Sequence, residues 1–263
     1  KHITGSVDMR ELTSNTVKLF DSVGGNIRMV NLKDTTSKLF DTVNGDVNLF
    51  NLTQGSIKLF DTAKNNVILD SITIVTTKLF DNADGNVSFM KLVKTTSKLF
   101  DFVKRSASFL RLKSNNVKLF DTIGGHAVFN SLENTTSILF DTAGGVTLSE
   151  LQATDTKLFN AVYGDVNMIN LNSTTVKLFD KASGNVYLNK LKSTDILLFD
   201  EAGGNIVINN RMYTGNKNNG IILNQGNKGL YLSKHNKSYL VFGKNSDLTT
   251  AIHEKAHEFE KYL

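Results

Sequence analysis

The chain is predicted to be all-β, a parallel β-helix (solenoid) of about ten 20-residue coils closed by a short C-terminal capping α-helix. Three observations carry this. The phrase Lys-Leu-Phe-Asp returns at near-constant spacing, its Phe falling at Phe20, Phe40, Phe60, Phe80, Phe100, Phe120, Phe140, Phe159, Phe179 and Phe199. The spacing is twenty throughout, with a single step of nineteen. Proline is absent from all 263 residues, which suits a chain that is mostly strand, where each Pro would delete a ladder hydrogen bond.

Fixed-period repetition decides architecture before any other feature. The residue before each Phe is Leu, from Leu19 to Leu198, and the residue after it is Asp except at Asn160. Three residues after Phe comes a small or branched apolar residue, such as Val43, Ala63 or Ile123. A turn pair follows (Gly24-Gly25, Asn44-Gly45, Asp84-Gly85), then an alternating strand such as Val47-Asn48-Leu49. A Leu or Ile then closes the pattern (Leu32, Leu52, Ile72), before a polar run rich in Thr and Asn.

The short step lies in Asp141-Thr142-Ala143-Gly144-Gly145-Val146, one residue short after the glycines, while the flanking strands keep their pattern. A stacked array tolerates a deletion in a turn, because a slip inside a strand would turn its side chains to the wrong face. About six apolar residues per coil point inward on this reading. Each contributes roughly 1.5–3 kcal/mol on burial, against roughly 1–2 kcal/mol of backbone entropy for every ordered residue. No coil stands alone on that comparison, so neighbours must supply hydrogen bonds and cover. A second architecture also fits, in which each repeat is a hairpin turning at Asn-Gly or Gly-Gly. Lys64-Asn65 and Lys104-Arg105 occupy the same position and suit that turn poorly.

The outer columns are read as scaffolding. The lysines (Lys18, Lys38, Lys58, Lys78, Lys98, Lys118, Lys157, Lys177) are an anion-binding stripe or, as the simpler reading, solvated positions offset by the Asp column. Asp21 and its equivalents are expected to cap turn amides. Leu and Phe are adjacent, and a flat strand would put them on opposite faces. Either the chain bends there and buries both, or the rings form an exposed association stripe.

Composition excludes several chemistries. Cysteine is absent, so there are no disulfides, no thiol catalysis and no Cys-ligated zinc. No run of apolar residues approaches the roughly 18 of a membrane helix, so no membrane span is expected. Net charge is +5, which allows an anionic partner without arguing for one, and no nucleic-acid partner is expected. Because the first residue is Lys1, the chain is expected to be part of a larger polypeptide.

Near-twenty-residue β-coils with ladders of Leu, Phe, Asp and Gly-Asn, on the phrase K-L-F-D-x-x-G-G-N, resemble the passenger regions of bacterial secreted exoproteins over residues 1 to about 210. These are autotransporters and filamentous-haemagglutinin-like passengers. The resemblance implies a non-catalytic stalk or adhesin, extracellular or on the bacterial cell surface, with a host or neighbouring-cell surface receptor or glycan as partner and a role in virulence. A poorer resemblance is to the YD repeats of Rhs-type toxins, because Phe replaces Tyr and the Gly-Asn lies one residue further on.

The organisation read from the sequence is a solenoid over 1–210, degenerate terminal coils over 211–246, and an amphipathic helix over 247–263. Ser246 or Asp247 offers the N-cap, and Leu248, Ile252, Ala256, Phe259 and Leu263 form an apolar stripe at helical spacing. His253-Glu254-Lys255-Ala256-His257 on that helix has the H-E-x-x-H pattern of zincin metalloproteases. That resemblance implies zinc as cofactor, His253 and His257 as ligands and Glu254 as the catalytic base. The family needs a third ligand, and Glu260, three residues after His257, is the candidate in reach. Two readings stand: the helix caps the solenoid, or the solenoid is the delivery stalk of a toxin whose zinc-metalloprotease domain begins there.

Overall fold

The computed structural model describes residues 1–13, 17–35, 38–55, 58–75, 78–95, 98–113, 118–133, 138–152, 157–172, 178–190, 196–197, 199–213, 218–223, 229–234 and 237–242. Each repeat is one coil of a parallel β-solenoid. A representative coil places strands at Phe40–Val43, Val47–Phe50 and Thr53–Gly55. Each strand pairs in parallel with its equivalents one repeat before and after, as in Arg28↔Asn48 and Ile68↔Asn48. This pairing excludes the hairpin arrangement, in which a repeat's two strands would pair with each other. The third row of strands is eight deep, from Lys33–Thr35 to Leu171–Asn172. Eight coils therefore carry all three strands, fewer than the ten expected, and ahead of them Thr13 makes a single parallel bridge to Lys33 in the third row.

Six side chains per coil face inward, as the pattern predicts. In one coil these are Leu39, Phe40, Val43, Val47, Leu49 and Leu52, all shut off from solvent. The second strand alternates inward and outward residues, so Asn48 points out between Val47 and Leu49, while the first strand buries Phe40 and Val43 and turns Asp41 and Thr42 outward. Leu39 and Phe40 are consecutive and both buried, so the chain bends between them. The amides of both donate to one carbonyl, Leu59 O, at 2.9 and 3.4 Å. The same shared acceptor recurs at Leu79, Leu99, Leu119 and Leu139. The Phe rings stack in an internal column with centroids 4.8–5.1 Å apart from Phe40 to Phe199, the rise that parallel pairing sets. The Phe ladder is thus core and not an association surface.

A second stack, Phe89, Phe109 and Phe129, packs beside the first. Where this column holds Phe109 and Phe129, the inward residue two places earlier shrinks to Ala107 and Ala127, and where it holds Phe89, Val87 is kept but the first strand's last residue is Ala83 in place of Val103 or Ile123. Volume is conserved across the coil, which close packing demands.

A further corner precedes the third strand. Asn31, Asn51 and Ser71 hold φ of 58°, 54° and 54° there, a left-handed conformation that Asn adopts more readily than most side chains. Asn51 Nδ2 donates to Asn31 Oδ1 at 3.0 Å, adding a polar ladder along the corner.

The nineteen-residue step is absorbed as the sequence suggests. Phe120–Phe129 and Phe140–Leu148 run as continuous strands through the position where other coils turn. The register shifts between Ile123 and His126, so that His126 faces Gly145, and both flanking strand rows stay aligned.

After Ile208 the pairing changes sign. Asn209 and Asn210, at φ 48° and 64°, make a two-residue reversal that pairs Ile206–Ile208 antiparallel with Arg211–Tyr213. Positive φ at both central residues is the requirement of a type I′ hairpin turn. Strand Asn218–Leu223 lies antiparallel on Phe199–Ala202, and Gly229–Lys234 and Lys237–Phe242 follow as a meander. The described strands between 211 and 242 therefore cover the last coil's edge in antiparallel fashion and do not continue the coils. The expected capping helix over 247–263 lies outside the described residues.

Candidate functional site

The most organised polar feature is a double ladder of Lys and Asp. The bend that buries Leu and Phe leaves the preceding Lys and the following Asp outside, one residue to either side. Each Lys meets the Asp of its own coil and the Asp of the next. Lys38 Nζ is 2.5 Å from Asp41 Oδ1 and 2.9 Å from Asp61 Oδ2. Lys58, Lys78, Lys98 and Lys118 repeat the pair at 2.5–2.9 Å. Oδ1 of Asp41, Asp61, Asp81 and Asp101 is sealed from solvent and rests against its own coil's ammonium.

The ladder shifts its own titration. The hydrogen bonds from Lys38 and then Lys18 hold the Asp41 carboxyl below its ordinary value. For Asp61, burial pushes the carboxyl up, but the hydrogen bonds from Lys58 and Lys38 outweigh it and the net direction is down. Lys38 moves up, held by Asp41 and then Asp61. Charges paired this way on both sides are occupied, so the Lys column from Lys18 to Lys118 is not a free anion-binding stripe. Lys177 lies outside the described residues.

The ladder departs from its pattern at Leu197, which stands at the Lys position of the last repeat, and at one pair of answering positions before it. Ile138 stands at the Lys position, and Asn160 stands at the Asp position of the following coil. Asn160 Nδ2 donates to Asp141 Oδ1 at 3.2 Å, supplying the donor that a Lys at 138 would have given. Lys157, whose own coil has Asn160 in place of Asp, reaches Asp180 at 2.7 Å.

Capping of the turn amides, expected of the Asp column, belongs to a different one. The side chain at the end of each turn accepts the amide of its equivalent in the next coil. Ser6 Oγ accepts Asn26 N–H, Asn26 Oδ1 accepts Asp46 N–H and Asp46 Oδ1 accepts Asn66 N–H, at 2.8–3.0 Å. The column continues through Asn66, Asn86 and Ser106 to His126, and again from Asp165 to Asn205. Its sequence signal is the run of small acceptors Ser, Asn and Asp after each turn pair, which reads as generic turn chemistry until the coils are stacked. At the short coil the column's place is taken by Gly145, which has no side-chain acceptor. The His126 ring fills the space, its Nε2 2.9 Å from Thr147 Oγ1. A Cβ on Gly145 would sit 2.3 Å from His126 Nδ1, so that position accepts only glycine while the ring is there.

The sequence-derived site residues His253, Glu254, His257 and Glu260 lie outside the described residues. Among the described residues no group of three or more His, Asp or Glu side chains is placed to hold a metal ion. No helix among them is long and apolar enough to cross a membrane. No family description, curated protein or solved structure matches the chain.

Proposed function

We propose that this chain is the rigid, non-catalytic stalk or adhesive passenger of a bacterial secreted or surface-displayed protein. The observation that supports this is continuity. The Phe column, the capping column and the paired charges run from coil to coil with no inserted loop among the described residues. A rod with a stacked aromatic centre and an ion-paired edge resists bending, and it carries whatever is joined to it a fixed distance. Ten register steps separate the first-row strands His2–Ile3 and Phe199–Ala202, a span of about 48 Å at the rise of parallel coils.

Surface display is tested by protease shaving of intact cells, followed by detection of the repeat with an antibody. Loss of the signal with a cytoplasmic marker retained is the expected result. Full protection in intact cells, with cleavage only after lysis, overturns the reading.

A second reading rests on His253-Glu254-Lys255-Ala256-His257. On it the rod delivers a zinc-metalloprotease domain that begins at this segment, with His253 and His257 as ligands, Glu254 as base and Glu260 as a third ligand. Elemental analysis of the purified chain beside the His253→Ala/His257→Ala variant tests it. One zinc per chain, lost in the variant, favours the protease; none in either leaves the stalk alone.

A further inference from the structure

Pairing of the ladder lysines directs attention to the cations it leaves out. Lys33, Lys91, Lys104, Arg105, Arg111 and Lys190 are exposed and form no ion pair with another described residue, and four of them, Lys91, Lys104, Arg105 and Arg111, cluster. All four lie on two adjacent coils. Of the six exposed large hydrophobic side chains among the described residues, three lie on the same two coils: Met90, Phe102 and Leu110, 37–43 % exposed. Met90-Lys91 and Leu110-Arg111 stack directly, because Val87–Phe89 pairs in register with Ala107–Phe109. Phe102 and Lys104-Arg105 continue the surface round the same coil.

The character of the surface ends abruptly along the rod. In the columns of Leu110 and Arg111 the neighbouring coils carry Asp70-Ser71 on one side and Asn130-Ser131 and Ser149-Glu150 on the other. In the column of Lys104 and Arg105 they carry Asp84-Gly85, with Asp84 already on Lys64 at 3.4 Å, and Gly124-Gly125. The patch is thus two coils tall, about 10 Å, and follows the coil for a contour of about 30 Å from Phe102 to Arg111. A planar bilayer laid on a straight rod would meet many coils along these columns, where Asp70, Asn130, Ser149 and Glu150 cut the band off on both sides before the next apolar residues, Phe50 and Ile169. A narrow ligand crossing the rod meets only these two.

We infer that this band binds an extended acidic segment of a partner protein, its carboxylates on Lys91, Lys104, Arg105 and Arg111 and its apolar side chains on Met90, Leu110 and Phe102. The inference names a partner class for the adhesive stalk and rests on that reading. The test uses the purified chain, so it fails or succeeds independently of where the protein is displayed.

The probes are three fluorescein-labelled nonapeptides, alternating Glu-Leu, alternating Lys-Leu and all-Glu, read by fluorescence anisotropy. The Glu-Leu peptide binds most tightly, and its affinity falls as salt rises, because exposed charges are screened. Two variants borrow residues that other coils already carry at the same positions: Lys104→Gly/Arg105→Gly/Arg111→Ser and Met90→Asn/Leu110→Asn. Each weakens Glu-Leu binding by roughly tenfold or more with thermal unfolding unchanged, as loss of complementary charge or of the anchor residues predicts. Equal binding of the Lys-Leu peptide, or unchanged binding by either variant, overturns the inference. So does capture of 1:1 phosphatidylserine–phosphatidylcholine vesicles by a chain that ignores the Glu-Leu peptide.

Discussion

Ile138 and Asn160 are departures from the repeat that answer each other. Replacing Lys by Ile removes the ammonium that would lie between Asp141 and the next carboxylate. Replacing that next Asp by Asn removes the second charge and turns an acceptor into a donor, which Asp141 Oδ1 receives at 3.2 Å. The expected outcome of restoring either partner follows. Asn160→Asp places two carboxylates face to face without the intervening cation and destabilises the array. Ile138→Lys combined with Asn160→Asp rebuilds the ladder and recovers the loss. Asp141 is more than a third exposed, so solvent screening limits the coupling to about 0.5–1 kcal/mol. Chemical denaturation of the four chains of the cycle measures it; additive effects would show that the two positions are independent.

The ladder sets the dependence on pH. Asp41, Asp61, Asp81, Asp101 and Asp121 have folded-state pKa values below the ordinary carboxylate value. Their contribution is present above the unfolded pKa, near 3.9, and is lost as pH falls through the lower folded values. Lys38, Lys58, Lys78, Lys98 and Lys118 are shifted up. Their contribution is complete below the unfolded pKa, near 10.4, and is lost as pH rises through the higher folded values. Urea midpoints should be flat across neutral pH and fall at both extremes. A maximum confined to a narrow range near neutrality would contradict the assignment.

Core volume is shared within a coil. Phe100 lies 5.1 and 5.0 Å from Phe80 and Phe120, and 6.1 Å from Phe89. Phe100→Ala leaves a void where four rings meet and should cost about 3–5 kcal/mol. Ala107→Val places beside Val103 and Phe109 the residue that the preceding coil carries beside the smaller Ala83, overfills the space and should cost about 1–3 kcal/mol. Paired with Phe109→Leu, the same change should be nearly silent. Hydrogen exchange would place the loss in the coils around position 107, since neighbouring coils depend on one another.

At the short coil, Gly145→Ala drives a Cβ into the His126 ring. The variant should lose about 1–3 kcal/mol, and His126→Ala should restore most of it. Thermal melts of the two single variants and the double variant decide this; a loss that survives His126→Ala would place the cause in the backbone.

The architecture was legible because one apolar column after another repeats at the coil period, and because the deletion at Gly145 falls in a turn. Sequence alone leaves both burial and exposure of the Phe column open, since the bend at Leu39-Phe40 depends on the shared Leu59 carbonyl of the next coil, a contact twenty residues away in sequence. The roles of Asp41 and Asp46 were harder to separate. Both are acidic residues near a turn, and only stacking shows that one meets lysines and the other meets an amide. The close of the stack turns on Asn209 and Asn210. The Asn pair resembles the polar turns of the other coils, yet its two positive φ values reverse the chain.

The central claim is that each repeat adds one parallel rung. Asn48 and Tyr187 are outward residues of the second strand row, seven register steps apart through 68, 88, 108, 128, 147 and 167. The chain has no native cysteine, so Asn48→Cys/Tyr187→Cys can be spin-labelled cleanly and the separation measured by double electron–electron resonance. Stacked coils predict a backbone separation of about 34 Å. A meander of hairpins adds two strands per repeat, and a separation near 67 Å would contradict the account.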